Sequence, residues 1–370
     1  MKVGILTYHN AINYGAILQA YALQQVLFGM GVQCEIINYA CPAVEKQYRR
    51  KKLSEHAHWK VYVMDFFSGH RLDKKKVAFK QFSDTYLTLS NKVDNFLVEG
   101  FDKYDAVITG SDQVFNPKNT EGDSAYLLDF QCRAKKIAYA ASIGNNDFLK
   151  LWEEQYNVDY KTLLKDFCNI SFREEEASAF ATQLFGKNYE TVLDPVLLAG
   201  NKLWQRFQGE KKEEYIFVYN LGNLPVMRDC IQKMHEETGL KVYVVNKDIK
   251  GDVMFRKYEN VSSLSPEDFV KMLSGATYVV TDSFHGTAFS ALFHKNFYSV
   301  INSRKVNTNS RIRNLLKKLN LESRIVSHVE DFHYDKISTF DDVDTKIQKM
   351  QNKSLNWLSD ALELQKEVNR

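Results

Sequence analysis

The sequence predicts an α/β protein of two doubly wound domains, and three observations carry that reading. A strand–helix–strand alternation opens the chain, a second alternating series begins after Asp194-Pro195, and 370 residues give room for two cores. Hydrophobic residues make up 44% and charged residues 26%, the balance of a folded chain rather than a disordered one.

Lys2–Tyr8 (KVGILTY) is a short apolar run of the kind that fills a buried parallel strand. The polar turn His9–Gly15 follows, and Ala16–Met30 places Leu18, Ala22 and Val26 on one helical face. Gly31 ends that helix and Gln33–Asn38 returns as a strand, which completes a βαβ unit. A basic segment then interrupts the alternation and reads as mostly helical to about residue 100. Strands resume at Ala106–Thr109, Lys136–Ser142 and Asn169–Phe172, with helices at Phe148–Asp166 and Glu174–Phe185, and Thr191–Leu193 before Asp194-Pro195 closes this half.

The second series runs through strand Glu214–Leu221, helix Leu224–Thr238, strand Lys241–Asn246 and helix Pro266–Leu273. Strand Thr277–Asp282, helix Gly286–Phe293, strand Asn296–Ile301 and a helix near Ser310–Leu319 complete it. The expected domains are therefore 1–195, with a helical basic insertion at 45–100, and 196–340. Residues 341–370 form a terminal helix expected to lie back on the first domain. Asp342-Val343-Asp344 resembles a metal-binding acid pair, but its place at a helix start points to capping.

Charge and cysteine content narrow the function. The net charge of +3 argues against a dedicated nucleic-acid binder. Residues 49–80 nevertheless hold ten Lys or Arg against three acids, a local +7 that leaves −4 for the remainder. That segment reads either as a solvated helix or as a collar for an anionic substrate or lipid headgroups. Five scattered cysteines without a C-x-x-C pair disfavour a disulfide framework or a zinc site. The start MKVGILTYHN has no signal-like region, and no apolar run reaches the ~18 residues of a membrane span. A cytoplasmic address is expected, with peripheral contact at the inner membrane face through 49–80 as an option.

Ligands of doubly wound sheets bind beyond the carboxyl ends of the strands. Four loops there carry chemistry: His9–Gly15, Gly110-Ser111-Asp112-Gln113, Arg173 with Glu174–Glu176, and Thr281–Thr287. The last puts His285 and Gly286 among hydroxyls at a helix start, with Asp282 nearby to orient the ring. A histidine there titrates near neutral pH and can protonate a substrate, or serve structure alone. Arg173 suits bidentate capture of carboxylate or phosphate, or a pair with one of the glutamates after it. No G-x-G-x-x-G, P-loop, G-x-S-x-G or H-E-x-x-H motif occurs.

At these loops the chain resembles the polysaccharide pyruvyl transferase family. The matching segments are Gly4–Thr7, Asn13–Leu23 (NYGAILQAYAL), Asp105–Phe115 (DAVITGSDQVF), Tyr139–Gly144 (YAASIG), Ser171–Glu174 (SFRE), Leu193–Pro195, Thr281–Gly286 (TDSFHG) and Ser310–Ile312. The resemblance implies two Rossmann-like lobes facing a cleft, as in GT-B glycosyltransferases. It implies transfer of a pyruvyl group from phosphoenolpyruvate to two hydroxyls of one sugar, forming a cyclic ketal and releasing phosphate, in surface polysaccharide biosynthesis. On that basis His285 is the general acid and Asp112 the base. Arg173, Ser283, Gly286, Thr287 and Arg311 bind the donor, while Asn13, Tyr14 and Gln113 bind the acceptor. The scheme needs no cofactor and no metal, and its partner is a glycan or lipid-linked oligosaccharide. Characterised members carry an arginine two positions before this histidine, where this chain has Ser283; Arg311, Arg313 or Lys305 are the cations available to replace it. A nucleotide-sugar glycosyltransferase of the same fold and a non-catalytic glycan-binding member are the alternatives.

Overall fold

A computed structural model describes residues 1–49, 59–93, 101–144, 151–209, 213–302 and 309–364, with side chains of the basic helix from residue 70 onward. Two parallel sheets organise the chain, each with its own unit of packing. The first unit contains residues 1–47, 86–199 and the chain from 347; the second contains 48–85 and 200–346.

In the first unit, β1 (Lys2–Leu6) leads through α1 (Tyr14–Gly29) to β2 (Gln33–Tyr39). The long helix α2 (Trp59–Tyr86) follows, then β3 (Leu89–Val93), β4 (Ala106–Asp112), β5 (Lys135–Ala141) and β6 (Asn169–Phe172). Helix α3 (Glu175–Phe185) and the short β7 (Glu190–Thr191) end this series. The sheet order is β3-β2-β1-β4-β5-β6-β7, all parallel, so strand order reverses between β1 and β4. Val3 pairs with Ala106 and Leu6 with Thr109 across that switch. β1 and β4 are almost wholly buried, as expected of strands inside a parallel sheet.

The second unit repeats the plan with β8 (Tyr215–Asn220), α4 (Pro225–Thr238), β9 (Lys241–Asn246), β10 (Glu259–Asn260) and α5 (Pro266–Gly275). It continues through β11 (Tyr278–Thr281), α6 (Phe284–Leu292), β12 (Asn296–Val300), α7 (Ser310–Lys318) and β13 (Ile325–Val326). The order is β10-β9-β8-β11-β12-β13, again all parallel, and the switch falls between β8 and β11. Ile216, Val218, Val244, Val280 and Val300 from the strands pack with Met227, Ile231 and Met234 of α4 as its core.

Three segments differ from the sequence reading. Residues 89–93 form an edge strand rather than helix, because Ile36 and Tyr39 pair with Leu89 and Val93. The stretch expected as one helix over 148–166 contains a break: Asn157 takes a left-handed φ of 52°, and Asp159 caps a new helix, Tyr160–Lys165. The basic helix groups with the second unit instead of the first. Its Arg71 pairs with Asp252, and Phe82 packs against Phe207. Within the helix Lys80 pairs with Asp84 at 2.6 Å. Burial pushes the Lys75 ammonium down to about 7. Arg50, Lys51 and Lys52 lie outside the described residues.

The terminal helix α8 (Asp341–Ala361) docks its later turns on the first unit. Ser354 Oγ accepts the Leu193 N–H at 2.9 Å, Gln351 Nε2 donates to Leu197 O at 2.6 Å, and Trp357 packs against Tyr139. No helix among the described residues is long and apolar enough to cross a membrane.

Candidate functional site

The carboxyl edge of the first sheet is assembled by hydroxyls. Thr7 Oγ1, just beyond β1, donates to Ser111 O at 3.2 Å and accepts from the buried Gln19 Nε2 at 2.8 Å. This ties the end of β1 to the end of β4 across the switch point. Asp112, the last residue of β4, has a left-handed φ of 72°, and its Oδ1 accepts the Gln113 N–H at 2.9 Å.

Arg173, immediately after β6, reaches the same place. Its Nη1 donates to Asp194 Oδ2 at 2.8 Å, its Nη2 to Asp112 Oδ1 at 3.4 Å, and its Nε lies 3.8 Å from Glu174 Oε1. Asp194 is further held by Ser111 Oγ at 3.1 Å and by the Val196 N–H at 3.0 Å. Ser142 Oγ donates to Glu174. Burial alone would lower the guanidinium's affinity for its proton, but Asp194, Asp112 and Glu174 outweigh burial and the net shift is upward. Arg173 therefore stays charged at any working pH.

Exposure separates the members of this cluster. The Arg173 side chain is 2% exposed, Asp194 0% and Glu174 4%, whereas Asp112 is 14% exposed. Among the described residues one cation faces three carboxylates, and this cluster meets solvent chiefly through Asp112. The carboxylates of Asp194, Asp112 and Glu174 surround the Arg173 guanidinium among the described residues.

The acceptor-side expectations divide in the same way. Asn13 is half-buried and caps α1, its Oδ1 accepting from Gly15 N–H at 2.9 Å and Ala16 N–H at 3.3 Å. Gln113 is half-buried and accepts from Asn116 Nδ2 at 2.9 Å. Gly144, at a left-handed φ of 75°, covers that pair: an added Cβ would lie 2.3 Å from Asn116 Nδ2 and 2.5 Å from Gln113 Oε1. Tyr14, the first residue of α1, is wholly buried. His9 is also buried, with ring nitrogens on Thr7 O and Asn38 Oδ1, and burial lowers its pKa.

The second sheet carries a matching constellation at its own switch point. Thr281 Oγ1 donates to Tyr219 O at 2.9 Å and accepts the Ser283 N–H at 3.0 Å. Ser283 caps α6, its Oγ accepting from Gly286 N–H at 3.3 Å, so its hydroxyl is already engaged. Thr287 is wholly buried, with Oγ1 donating to Ser283 O at 3.0 Å and 2.7 Å from Ser299 Oγ. Gly286 is required by close approach, since a Cβ there would lie 2.4 Å from Thr281 Oγ1. His285 is buried in the first turn of α6, edge-on to Phe284. Arg311 is half-buried in the first turn of α7. Lys305 lies outside the described residues.

Asp282 is the residue that sequence reasoning undervalued. Its Oδ1 accepts the Leu221 N–H at 2.7 Å and its Oδ2 the Gly222 N–H at 2.5 Å, which clamps the β8–α4 turn to the end of β11. Desolvation raises its pKa to about 6 despite those N–H groups and Lys247. The signal was its place, one residue beyond a strand at the switch point, where Asp112 stands in the first sheet. The described site residues thus fall into two sets: Asn13, Tyr14, Asp112, Gln113 and Arg173 in the first unit, and Ser283, His285, Gly286, Thr287 and Arg311 in the second. Among the described residues no three His, Cys, Asp or Glu side chains are grouped to hold a metal ion.

Comparison with known proteins gives one family. The model of the family described as "Polysaccharide pyruvyl transferase" matches residues 13–304. No curated protein matches the chain. Among solved structures, Staphylococcus aureus MnaA in complex with UDP is similar at 10% identity and a TM-score of 0.49, over 98% of this chain and 94% of that one. The Neisseria meningitidis UDP-GlcNAc 2-epimerase bound to UDP-GlcNAc is similar at 8% identity and 0.48, covering 99% and 100%. Arabidopsis thaliana UGT89C1 with UDP-L-rhamnose follows at 10% and 0.47, covering 98% of each chain. Likenesses of that size carry no functional argument.

Proposed function

Because the chain belongs to the polysaccharide pyruvyl transferase family, a family of transferases, we propose that it moves a pyruvyl group from phosphoenolpyruvate to two hydroxyls of one glycan sugar. The product is a cyclic ketal and the leaving group is phosphate. The observation that supports this most is the charged cluster of the first unit, which reaches solvent chiefly through Asp112 and lies on the sheet edge that also bears Asn13 and Gln113. A carboxylate flanked by amides suits a polyhydroxyl acceptor.

In the proposed reaction a proton adds to the enol methylene, and the adjacent carbon becomes an oxocarbenium-like centre. His285 supplies that proton. A first sugar hydroxyl attacks the centre and phosphate departs; the second hydroxyl closes the ring. Two hydroxyl protons are released: one balances the proton taken up by carbon, and the other leaves with phosphate. Asp112 accepts them in turn, while Asn13 and Gln113 hold the sugar. On the donor side the positive end of α6 and the Arg311 cation receive the phosphate and carboxylate. Ser283 occupies the place of the family's arginine and is spent on capping, so Arg311 carries the charge that the arginine supplies elsewhere.

The proposal places the protein in the assembly of a surface polysaccharide, in the cytoplasm or at the inner face of the membrane, with a glycan or lipid-linked oligosaccharide as acceptor. The test is release of inorganic phosphate from phosphoenolpyruvate only when a galactose- or mannose-type acceptor is present. His285→Ala should then lower kcat by ~100-fold or more. Silence across a broad acceptor panel, with no donor binding by calorimetry, sinks the proposal. Sugar binding that survives His285→Ala in an inactive wild type would instead identify a glycan-binding protein.

A further inference from the structure

We propose that Asp282 sets the donor class: its carboxylate occupies the phosphate seat of the second sheet and keeps nucleoside diphosphates out. The inference goes beyond pyruvyl transfer, since it decides against a nucleotide-sugar donor on residues that the proposed reaction does not use.

Doubly wound sheets that bind dinucleotides hold the pyrophosphate at the first βα turn, where a glycine lets the backbone approach and N–H groups point at the anion. In the second unit that turn lies between β8 and α4, beside the switch point. Gly222 is exposed there, and Lys247 lies near enough to act on a charge at the turn. The N–H groups of Leu221 and Gly222 converge on one carboxylate. It is that of Asp282, which accepts the first through Oδ1 at 2.7 Å and the second through Oδ2 at 2.5 Å. An added Cβ at Gly222 would lie 2.7 Å from Asp282 Oδ2. The glycine thus serves close approach of an anion, and the anion is the protein's own. The Asn223 N–H goes to Asn220 Oδ1 at 3.0 Å, and Pro225 has no N–H to offer.

Fastening the turn does not need a charge. Thr281 Oγ1 already ties β11 to β8 through Tyr219 O at 2.9 Å. In the first sheet a hydroxyl serves alike, since Thr7 Oγ1 ties β1 to β4 through Ser111 O. A carboxylate at the second switch point costs desolvation that a neutral tie avoids. What the carboxylate adds is exclusion. A diphosphate on the same two N–H groups would overlap Asp282, and one beside it would meet like charge at contact distance. Phosphate is thereby directed to the α6 side of the switch point.

The experiment reads Gly222 directly in full-length protein. Leu221-Gly222 is the only Leu-Gly pair in the sequence, so carbonyl-carbon-13 leucine with nitrogen-15 glycine selects one amide resonance. Folding of each variant is verified by thermal unfolding. At about pH 8, where Asp282 is charged, neither inorganic pyrophosphate nor UDP should move that resonance in wild type. In Asp282→Ala, which vacates the seat, pyrophosphate should move it saturably, with an affinity at least ~30-fold above the wild-type limit. Asp282→Asn removes the charge but still covers one N–H, so its gain should be smaller, about 3–10-fold. Should Asp282→Ala not fold, the presence or absence of that smaller gain decides. A residue that only fastens the turn would lose stability on substitution and gain no anion. Saturation of the Gly222 resonance by UDP or pyrophosphate as tightly in wild type as in the variants overturns the inference, as does a folded Asp282→Ala that pyrophosphate leaves unmoved. The titration needs no turnover, so it decides whether or not wild type releases phosphate from phosphoenolpyruvate.

Discussion

Replacing Gly286 with alanine tests the donor-side architecture through one added atom. The new Cβ would lie 2.4 Å from Thr281 Oγ1 and 3.0 Å from both Thr281 Cβ and Cγ2. Thr281 cannot retreat cheaply, because it is wholly buried and its hydroxyl bonds Tyr219 O and Ser283 N–H. Overpacking of this kind costs ~1–3 kcal/mol, and disturbing the hydroxyl adds ~1 kcal/mol. Alanine's better helix propensity returns at most ~1 kcal/mol. The expected net loss is roughly 2 kcal/mol, or ~4–8 °C in Tm for a unit of this size. Urea unfolding of Gly286→Ala, Thr281→Ala and the double variant gives the cycle that isolates the contact. Thr281→Ala removes the two atoms beyond Cβ that are struck, so the double variant should be more stable than the sum of the single changes by ~1 kcal/mol or more. Strict additivity, or a neutral Gly286→Ala, would refute the claim that α6 is seated by backbone contact with Thr281. Ser283 and His285 share that turn, so kcat should fall with stability.

Two further outcomes follow from the same geometry. Asp282 has a folded pKa raised from 3.8 to about 6, so its contribution to stability is complete below about pH 4 and is lost as pH rises through 6. Wild type should therefore lose on the order of 2 kcal/mol relative to Asp282→Asn between about pH 4 and pH 7 in urea titrations, and a pH-independent difference would contradict the desolvation argument. Gly144→Ala forces a side chain into a left-handed φ of 75° and against the Gln113–Asn116 pair. It should raise the KM for the acceptor with little change in the KM for phosphoenolpyruvate, and equal effects on both would remove Gln113 from the acceptor side.

Much of the scaffold was legible because buried parallel strands are continuous apolar runs. Asn169–Phe172 and Lys241–Asn246 stand as expected, and the loops after β1, β4 and β11 were found by the same rule. β3 was not legible, since LSNKV carries two exposed polar residues and becomes a strand only by pairing with β2. The short strands Glu259–Asn260 and Ile325–Val326 have no periodicity to read. The partners of Arg173 were half-legible: Glu174 is adjacent in sequence, but Asp194 lies 21 residues further on. Its 2.8 Å contact with Arg173 exists only in the folded sheet. Tyr14, a residue of a matching segment, is wholly buried, which the sequence did not signal. Thr287 likewise spends its hydroxyl inside the protein. Sequence placed the loops; the fold decided which of their side chains face outward.

Incubating the protein with carbon-13-labelled phosphoenolpyruvate and an acceptor glycan, then taking the mass spectrum of the glycan, tests the central claim most directly. The account predicts one labelled pyruvyl group per modified sugar, attached through two oxygens, with an equal amount of phosphate released and both abolished in Asp112→Asn. Phosphate released with the label recovered as free pyruvate, or a glycan that stays unlabelled under every acceptor tried, would contradict it.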